Sequence, residues 1–409
     1  MLDTTMRAHR ILFALLLACG SSPTSQDDAG TDGGLDAPPD AWVDPCASAT
    51  HASIETVAML SHGRYSPAVA RLHDGRVLIA GGFDFAAGMT PSAEIYDPIT
   101  RTLSPTDDMN VARNFATATV FPGGVLVIGG FDNVTGSVGT IERYDEASAT
   151  FVASSATLAM GREAHTATLL GDGRVMIAGG LQARGLRFQN TIEIYDPMFD
   201  IVHTALSTLV PGRGFHDAAW IESASAVLMV GGDSGGTTAE LSAGVLWTEA
   251  GDALADAGMR AHRAKAVAMA LLPDGRAVVT GGANATDGSL SDVDVWDPTT
   301  HAMTPAAPMV TRRMAHTLTA LGDGRLVAVG GWSDSEMAPG GGPEATPSIE
   351  VRGTDGTWSR LSVSLAVARL DHRVVALDAC HVVVIGGQHA ATGAMPSAPR
   401  EVELFTIPR

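Results

Sequence analysis

Val77-Leu78-Ile79-Ala80-Gly81-Gly82 is the stretch that decides how this chain folds. Four apolar residues with no polar alternation describe a strand covered on both faces. Two glycines then end it, where a backbone must take an unusual conformation or admit a close neighbour. The pattern recurs. Further apolar runs end in Gly129-Gly130, Gly179-Gly180, Gly231-Gly232, Gly281-Gly282, Gly330-Gly331 and Gly386-Gly387. Successive spacings are 48, 50, 52, 50, 49 and 56 residues. A near-constant period of that size is the signature of a repeat architecture, so the 409 residues need not divide into several domains.

Working outward from the glycines, each unit shows the same chemistry. Before the run stands a tight turn in Asp74-Gly75-Arg76, Asp172-Gly173-Arg174, Asp274-Gly275-Arg276 and Asp323-Gly324-Arg325. Asp-Gly between apolar stretches is a hairpin signal. After the glycines comes a polar loop, then a third strand ending in an aromatic and a turn, as in Ile95-Tyr96-Asp97-Pro98 and Val295-Trp296-Asp297-Pro298. A fourth strand leads into the next unit. These marks resemble the kelch family over residues 51–409, with two departures. Leu246-Trp247-Thr248 lacks the Asp-Pro turn, and Val351-Arg352 stands where an aromatic is expected, which would remove a packing group between blades. The resemblance implies an all-β, seven-bladed β-propeller with four strands per blade.

The two ends are incomplete in complementary ways. Glu401-Val402-Glu403-Leu404-Phe405 reads as a third strand with no fourth behind it, and Ser53 to Leu60 reads as a fourth strand with nothing before it. The N-terminal strand is therefore expected to complete the last blade, which removes free sheet edges. By the same strand directions Cys46 enters from the face where Cys380 sits in blade seven's first turn, and a disulfide between them is expected in an exported protein.

Export is read from residues 1–18, a signal peptide in which Arg7 and Arg10 precede an apolar run, Ile11 to Ala18, too short to span a bilayer. Leu16-Leu17-Ala18-Cys19-Gly20 resembles a bacterial lipobox, which implies cleavage before Cys19 and acylation of its thiol. Residues 19–50, rich in Ser, Gly, Pro and Asp and free of Lys and Arg, read as a disordered acidic tether. The expected location is the bacterial outer membrane or cell surface, with a periplasmic or secreted form as the alternative.

A net charge of −19 with no basic stripe argues against a nucleic-acid partner. Each unit opens with an arginine: Arg64, Arg113, Arg162, Arg213, Arg263, Arg313 and Arg369. Four are followed three residues on by His165, His216, His316 and His372. They read either as a cationic ring or, the preferred reading, as structural ties between neighbouring blades through the aspartates near the double glycines. The histidines are expected to make buried hydrogen bonds, and no metal or other cofactor is expected. Asp84, Asp132, Asp233, Asn284 and Asp334 follow the glycines, as turn caps or as a calcium ring, with turn caps preferred. Phe83, Phe85, Phe131, Phe188 and Trp332 in the same loops could stack on a ligand or plug gaps between blades.

Those loops are long and irregular by sequence, and binding residues gather on loops carried by a rigid scaffold. Trp332, Asp334 and Glu336, with His389 on the adjacent blade, are the candidate contacts of a protein or glycan ligand. A monomeric, non-enzymatic binding propeller, in contact with the membrane through its lipid anchor only, is the favoured expectation. The alternative is a carbohydrate-active enzyme on the same scaffold, since some kelch propellers are copper oxidases or sugar isomerases. The copper type needs a cysteine cross-linked to a tyrosine, and neither Cys46 nor Cys380 is placed for that. Asp355-Gly356-Thr357-Trp358 is only faintly similar to a sialidase Asp-box. Lipidation is directly testable: in a Gram-negative host given labelled palmitate, the full chain should take label and sediment with membranes, and Cys19→Ala should do neither.

Overall fold

The structure, a computed structural model, describes residues 46, 49–182, 187–235, 241, 244–258, 266–284, 286–337, 343–389 and 395–408. Arg263, Cys19 and the leader and tether up to residue 45 lie outside the described residues. Seven four-stranded antiparallel sheets are arranged in a ring. Blade one shows the plan: Ala68–Arg71, Val77–Ala80, Ala93–Asp97 and Thr102–Pro105 pair in chain order. The first strands of neighbouring blades touch each other all the way round, so they surround the central axis.

Blade seven is composite. Its sheet runs Arg373–Ala376, His381–Ile385, Glu401–Thr406 and then Ser53–Met59. The N-terminal strand pairs antiparallel with the C-terminal one, from Ser53 opposite Thr406 to Met59 opposite Glu401. On the face of the 1–2 turns, Cys46 and Cys380 are joined by a disulfide across a sequence separation of 334 residues. Both chain ends are thereby held to the same blade.

The core is divided among the blade interfaces. One apolar cluster lies at each of the seven junctions. Successive residues of a second strand point to opposite neighbours: Leu78 packs toward blade two, while Val77 and Ile79 pack toward blade seven. This is why the runs before the double glycines carry no polar residue. Each Val or Ile so buried contributes roughly 1.5–3 kcal/mol. The aromatics that end the third strands, Tyr96, Tyr144, Tyr195, Trp247, Trp296 and Phe405, face the preceding blade. In blade six Arg352 holds that register position, opposite Leu326. The packing group is not lost there, because Trp358 on the adjoining strand, paired with Arg352, joins the cluster between blades five and six.

The entrance arginines differ from the sequence reading in their partners. Their guanidinium groups work within their own blades and pair with a third-strand glutamate, not with the aspartates of the loops. Arg64 meets Glu94 at 2.8 Å and Arg313 meets Glu350 at 2.6 Å, and Arg113–Glu142, Arg162–Glu193 and Arg369–Glu403 repeat the pair. Each guanidinium also donates to the carbonyl of its own blade's first glycine, as from Arg64 to Gly81 at 2.7 Å. The physical reason is depth: these arginines are fully buried, and a buried charge needs a close counter-charge and satisfied donors. The link to the neighbour runs through the arginine's backbone. The Gly82 N–H donates to Arg113 O at 2.9 Å, and the Gly387 N–H donates to Arg64 O at 2.9 Å.

That contact explains the double glycine. Gly81 and Gly82 take φ of +66° and +103°, and a Cβ on Gly81 would stand 2.4 Å from the Arg113 carbonyl oxygen. Blade four departs from the pattern, with Val245 opposite Met229 where other blades place an acid, and burial pulls Arg213 down to about 10. Glu193→Ala, which leaves Arg162 buried without its carboxylate, is expected to cost about 3–5 kcal/mol in a urea titration. The same change at Glu55, whose pair with Arg101 is exposed, should cost under about 1 kcal/mol.

Candidate functional site

Most of the loops that follow the double glycines are small two-stranded ribbons, not irregular loops. Phe83–Asp84 pairs with Gly88–Met89, Phe131–Asp132 with Gly136–Ser137, and Leu181–Gln182 with Arg187–Phe188. Ala283–Asn284 pairs with Gly288–Ser289, and Trp332–Met337 with Pro343–Ala345. The acidic residues cap their turns. Asp84 accepts the N–H groups of Ala86 and Ala87, Asp132 those of Val134 and Gly136, and Asp233 that of Gly235. Asn284 accepts from Thr286 and Asp287. Asp334 differs, since it turns sideways and accepts the N–H of Ser289 in blade five at 2.5 Å.

The candidate contacts are spread around the face. Trp332 is half-buried in an apolar cluster with Ala266, Ala315 and Leu370. His389 donates from Nδ1 to the Ala368 carbonyl at 2.8 Å. The side chain of Glu336 lies outside the described residues. Phe188 packs with Ala164, Leu181 and Phe215 at the junction of blades three and four. Phe131 is half-buried, and Phe83 stands edge-on to Phe85 at 5.2 Å. Phe85 remains 37% exposed, so among these rings it offers open surface.

The histidines after the arginines hold blades together. His165, His216, His316 and His372 each share a hydrogen bond through Nε2 with a threonine of the preceding blade: Thr117, Thr166, Thr280 and Thr317. Burial, helped by nearby arginines, lowers His165 and His372 to about 3, so both are neutral. Among the described residues one group of metal-ligating type gathers, Cys46, Asp378 and Cys380, and there the two sulfurs are bonded to each other.

A different set of residues converges on the axis. Two residues past each described arginine the chain turns left-handed: Ser66, Phe115, Ala164, Phe215, Ala315 and Asp371 have φ between +47° and +55°. In blade five the residue is Ala266, three past Arg263, at φ +56°. Such conformations cost a non-glycine residue about 1–3 kcal/mol and mark sites that the surroundings hold in place. Hydrogen bonds such as Phe115 N–H to Ser66 O, 3.1 Å, link these turns across blades. They form the mouth of the channel on the double-glycine face.

The mouth is uneven. Tyr65, Asn114 and Glu163 occupy the position after the arginine in blades one, two and three, where Gly214, Met314 and Leu370 stand elsewhere. The Tyr65 hydroxyl donates to Asp371 Oδ2 at 3.3 Å, and its ring lies against Phe115 at 5.3 Å and Phe85 at 5.8 Å. Arg373 reaches Ser66 Oγ at 3.5 Å beside them. Asn114 is buried, and its Oδ1 finds no hydrogen-bond partner. Glu163 is 8% exposed, and no described residue donates to its carboxyl. Burial pushes Glu163 up to about 8, and pushes Asp371 up to about 8 against the pull of Arg373 and the Tyr65 hydroxyl. Tyr65 rises well above its ordinary value through burial and the nearby Asp371 and Glu163 charges. Blades seven, one, two and three thus supply a polar half-ring, and Met314, Ala315, Leu370 and Trp332 an apolar one.

The sequence reading missed Tyr65, Asn114, Glu163, Asp371 and Arg373. The signal was present: aligning the seven entrances on their arginines shows that the residue after the arginine differs in every blade.

A family model described as the Kelch motif matches residues 112–152, from blade two's entrance into its fourth strand. No curated protein sequence matches the chain. Among solved structures, a fungal alcohol oxidase with catalytic diversity among the AA5 family, in complex with copper, superposes with a TM-score of 0.66 at 14% identity, over 87% of this chain and 76% of that one. The structure of YjhT superposes with a TM-score of 0.53 at 14% identity, over 86% of this chain and 97% of that one. At such identity the likeness is one of fold.

Glu163 has a consequence for stability. Below about pH 4.5 it is protonated in both folded and unfolded chains; as pH rises toward 8 the unfolded chain ionises first, and the folded state loses stability. The difference in unfolding free energy between Glu163→Gln and the natural protein should therefore grow from pH 5 to pH 8 in the variant's favour, exceeding about 1 kcal/mol at pH 7.5. Urea titrations at four pH values would show it.

Proposed function

The chain is a kelch-repeat β-propeller, and from that premise we propose that it is a binding module tethered to a bacterial envelope, non-enzymatic, with a glycan or protein ligand on the double-glycine face. The observation that carries this reading is the channel mouth. Asn114 Oδ1 is buried without a hydrogen-bond partner among the described residues, and no described residue donates to the buried Glu163 carboxyl; a buried polar group left unmatched costs about 1–3 kcal/mol. A ligand that meets them recovers that cost and gains affinity from it. Beside them Phe85 offers an exposed ring above Tyr65, the apolar surface on which a sugar face stacks. Trp332 and His389 lie outward from the mouth on blades six and seven and extend the same face. The lipobox at Cys19 and the acidic tether support an anchored location, standing the propeller off the membrane.

The carbohydrate-active enzyme is the second reading, favoured by two buried carboxyls that flank a tyrosine hydroxyl. A copper oxidase is disfavoured by the donor set. Cys46 and Cys380 are bonded to each other on the opposite face, and among the described residues the mouth's polar groups are the Tyr65 phenol, the Asp371 and Glu163 carboxyls, the Asn114 amide, the Ser66 hydroxyl and the Arg373 guanidinium. Glycan-array binding of the purified domain separates the possibilities. Binding without turnover of the bound glycan is expected, and Phe85→Ala should weaken it at least tenfold with circular dichroism unchanged. Release of a modified sugar would favour the enzyme, and undiminished binding by Phe85→Ala would place the ligand elsewhere.

A further inference from the structure

The outer strand of each blade is paired on one side only. An open sheet edge is a template for another chain, and proteins blunt such edges with proline or charge. In this ring the blunting group has a fixed place. It is the residue paired with the third-strand acid, or with Val245 in blade four. Pro105, Asp256, Pro305 and Arg360 hold that place in blades one, four, five and six. Blade seven has Thr56 there, with Glu55 beside it. Blades two and three have Ala153 and Thr204. Their outer strands, Thr150–Thr157 and Ile201–Thr208, contain no Pro, Asp, Glu, Lys or Arg, and are the longest outer strands of the seven.

Blade two's edge is covered by other means. The Phe151 N–H donates to Asp107 Oδ2 at 2.9 Å and the Ser155 N–H to Asp200 Oδ2 at 2.8 Å, on either side of Ala153. In blade three Asp252 accepts from Leu206 and Ser207, which closes the far end alone. Ala156, six residues before Arg162 as Asp107 is before Arg113, offers no carboxylate to the near end. The open stretch is Ile201 to Ala205. Apolar side chains stand bare around it. Met198 is 84% exposed and Leu206 91%, and Phe199 and Ile201 are exposed beside them.

Symmetry and charge point to the occupant. A strand that pairs antiparallel with its own copy across a two-fold axis meets an identical edge, so each exposed group is answered by its equivalent. Chains of net charge −19 repel each other wherever acids face acids, and this strand carries none. We propose that the outer strand of blade three, from Ile201 to Ala205, joins two copies of this chain edge to edge, with Met198, Phe199 and Leu206 packing across the join. The sequence reading expected a monomer, because the period of the repeats says nothing about which outer strand lacks its blunting group. One strand pair and a few side chains make a small interface, so the dimer depends on protein concentration. The join lies at the rim of the ring, and the channel mouth of each copy stays open.

The test is sedimentation equilibrium of the full exported chain carrying Cys19→Ala, so that no acyl chain drives association. The dimer fraction should rise with protein concentration. Thr204→Arg gives blade three the arginine that blade six has at the same register position, so it should fold, and it should weaken the dimer at least tenfold. Phe199→Ser, on an exposed turn, should weaken it as well. Ala153→Arg, at the same register in capped blade two, should leave it unchanged. Circular dichroism and a urea titration check that each variant is folded. A chain that stays monomeric at every concentration overturns the proposal and leaves the strand to a different partner. A dimer that survives both Thr204→Arg and Phe199→Ser, or that Ala153→Arg disrupts equally, overturns it too.

Discussion

Everything in this propeller depends on how each blade is joined to the next, and one residue per unit does most of the joining. In five blades the entrance arginine places its guanidinium inside its own blade, on a third-strand glutamate and a glycine carbonyl, while in blade four Arg213 reaches the glycine carbonyl and Val245 holds the glutamate's register position. The arginine offers its own backbone carbonyl to the blade before it. At every junction whose arginine is described, a second-glycine N–H reaches that carbonyl. A side chain on the first glycine would block the approach, and the buried guanidinium would have no place without the glutamate. Glycine pair, arginine and glutamate are thus one device, repeated.

The glutamate adds a further link. Its carboxylate accepts N–H groups from the chain arriving from the preceding blade, as Glu94 does from Ser61 at 3.0 Å and Glu350 from Thr311 at 2.8 Å. A buried ion pair of this kind offers little net stability against well-packed apolar residues, but losing one half of it is costly. Its effect is to set geometry: it holds the crossover between blades, and so the left-handed residues that follow, at a fixed distance from the axis. The side chains between arginine and first strand are then free to differ. Tyr65, Asn114 and Glu163 do differ, from one blade to the next, on a frame that does not.

Closure works at larger scale. The N-terminal strand fills the fourth place in blade seven, and the disulfide between Cys46 and Cys380 holds the segment just before it. A ring so tied has no exposed sheet edge at the seam. Rigidity matters at the mouth, because groups left unmatched on a firm scaffold can be met by a ligand, whereas on a soft one they would find partners within the chain.

The seven units, the all-β propeller class, the hairpin turns and the composite last blade could be read from residues alone. They rest on local chemistry: apolar runs, Asp-Gly turns and glycine pairs at a constant period, with a missing strand at each end. The partners of the arginines could not be read, because Glu94, Glu142 and Glu193 look like ordinary alternating residues of a third strand. Only strand register shows that they face the arginines. The channel mouth was equally hidden. Tyr65, Glu163 and Asp371 are far apart in the chain, and they meet because closing the ring brings blades one, three and seven around one axis. Their burial, which decides their protonation, belongs to the closed ring and to no segment of it.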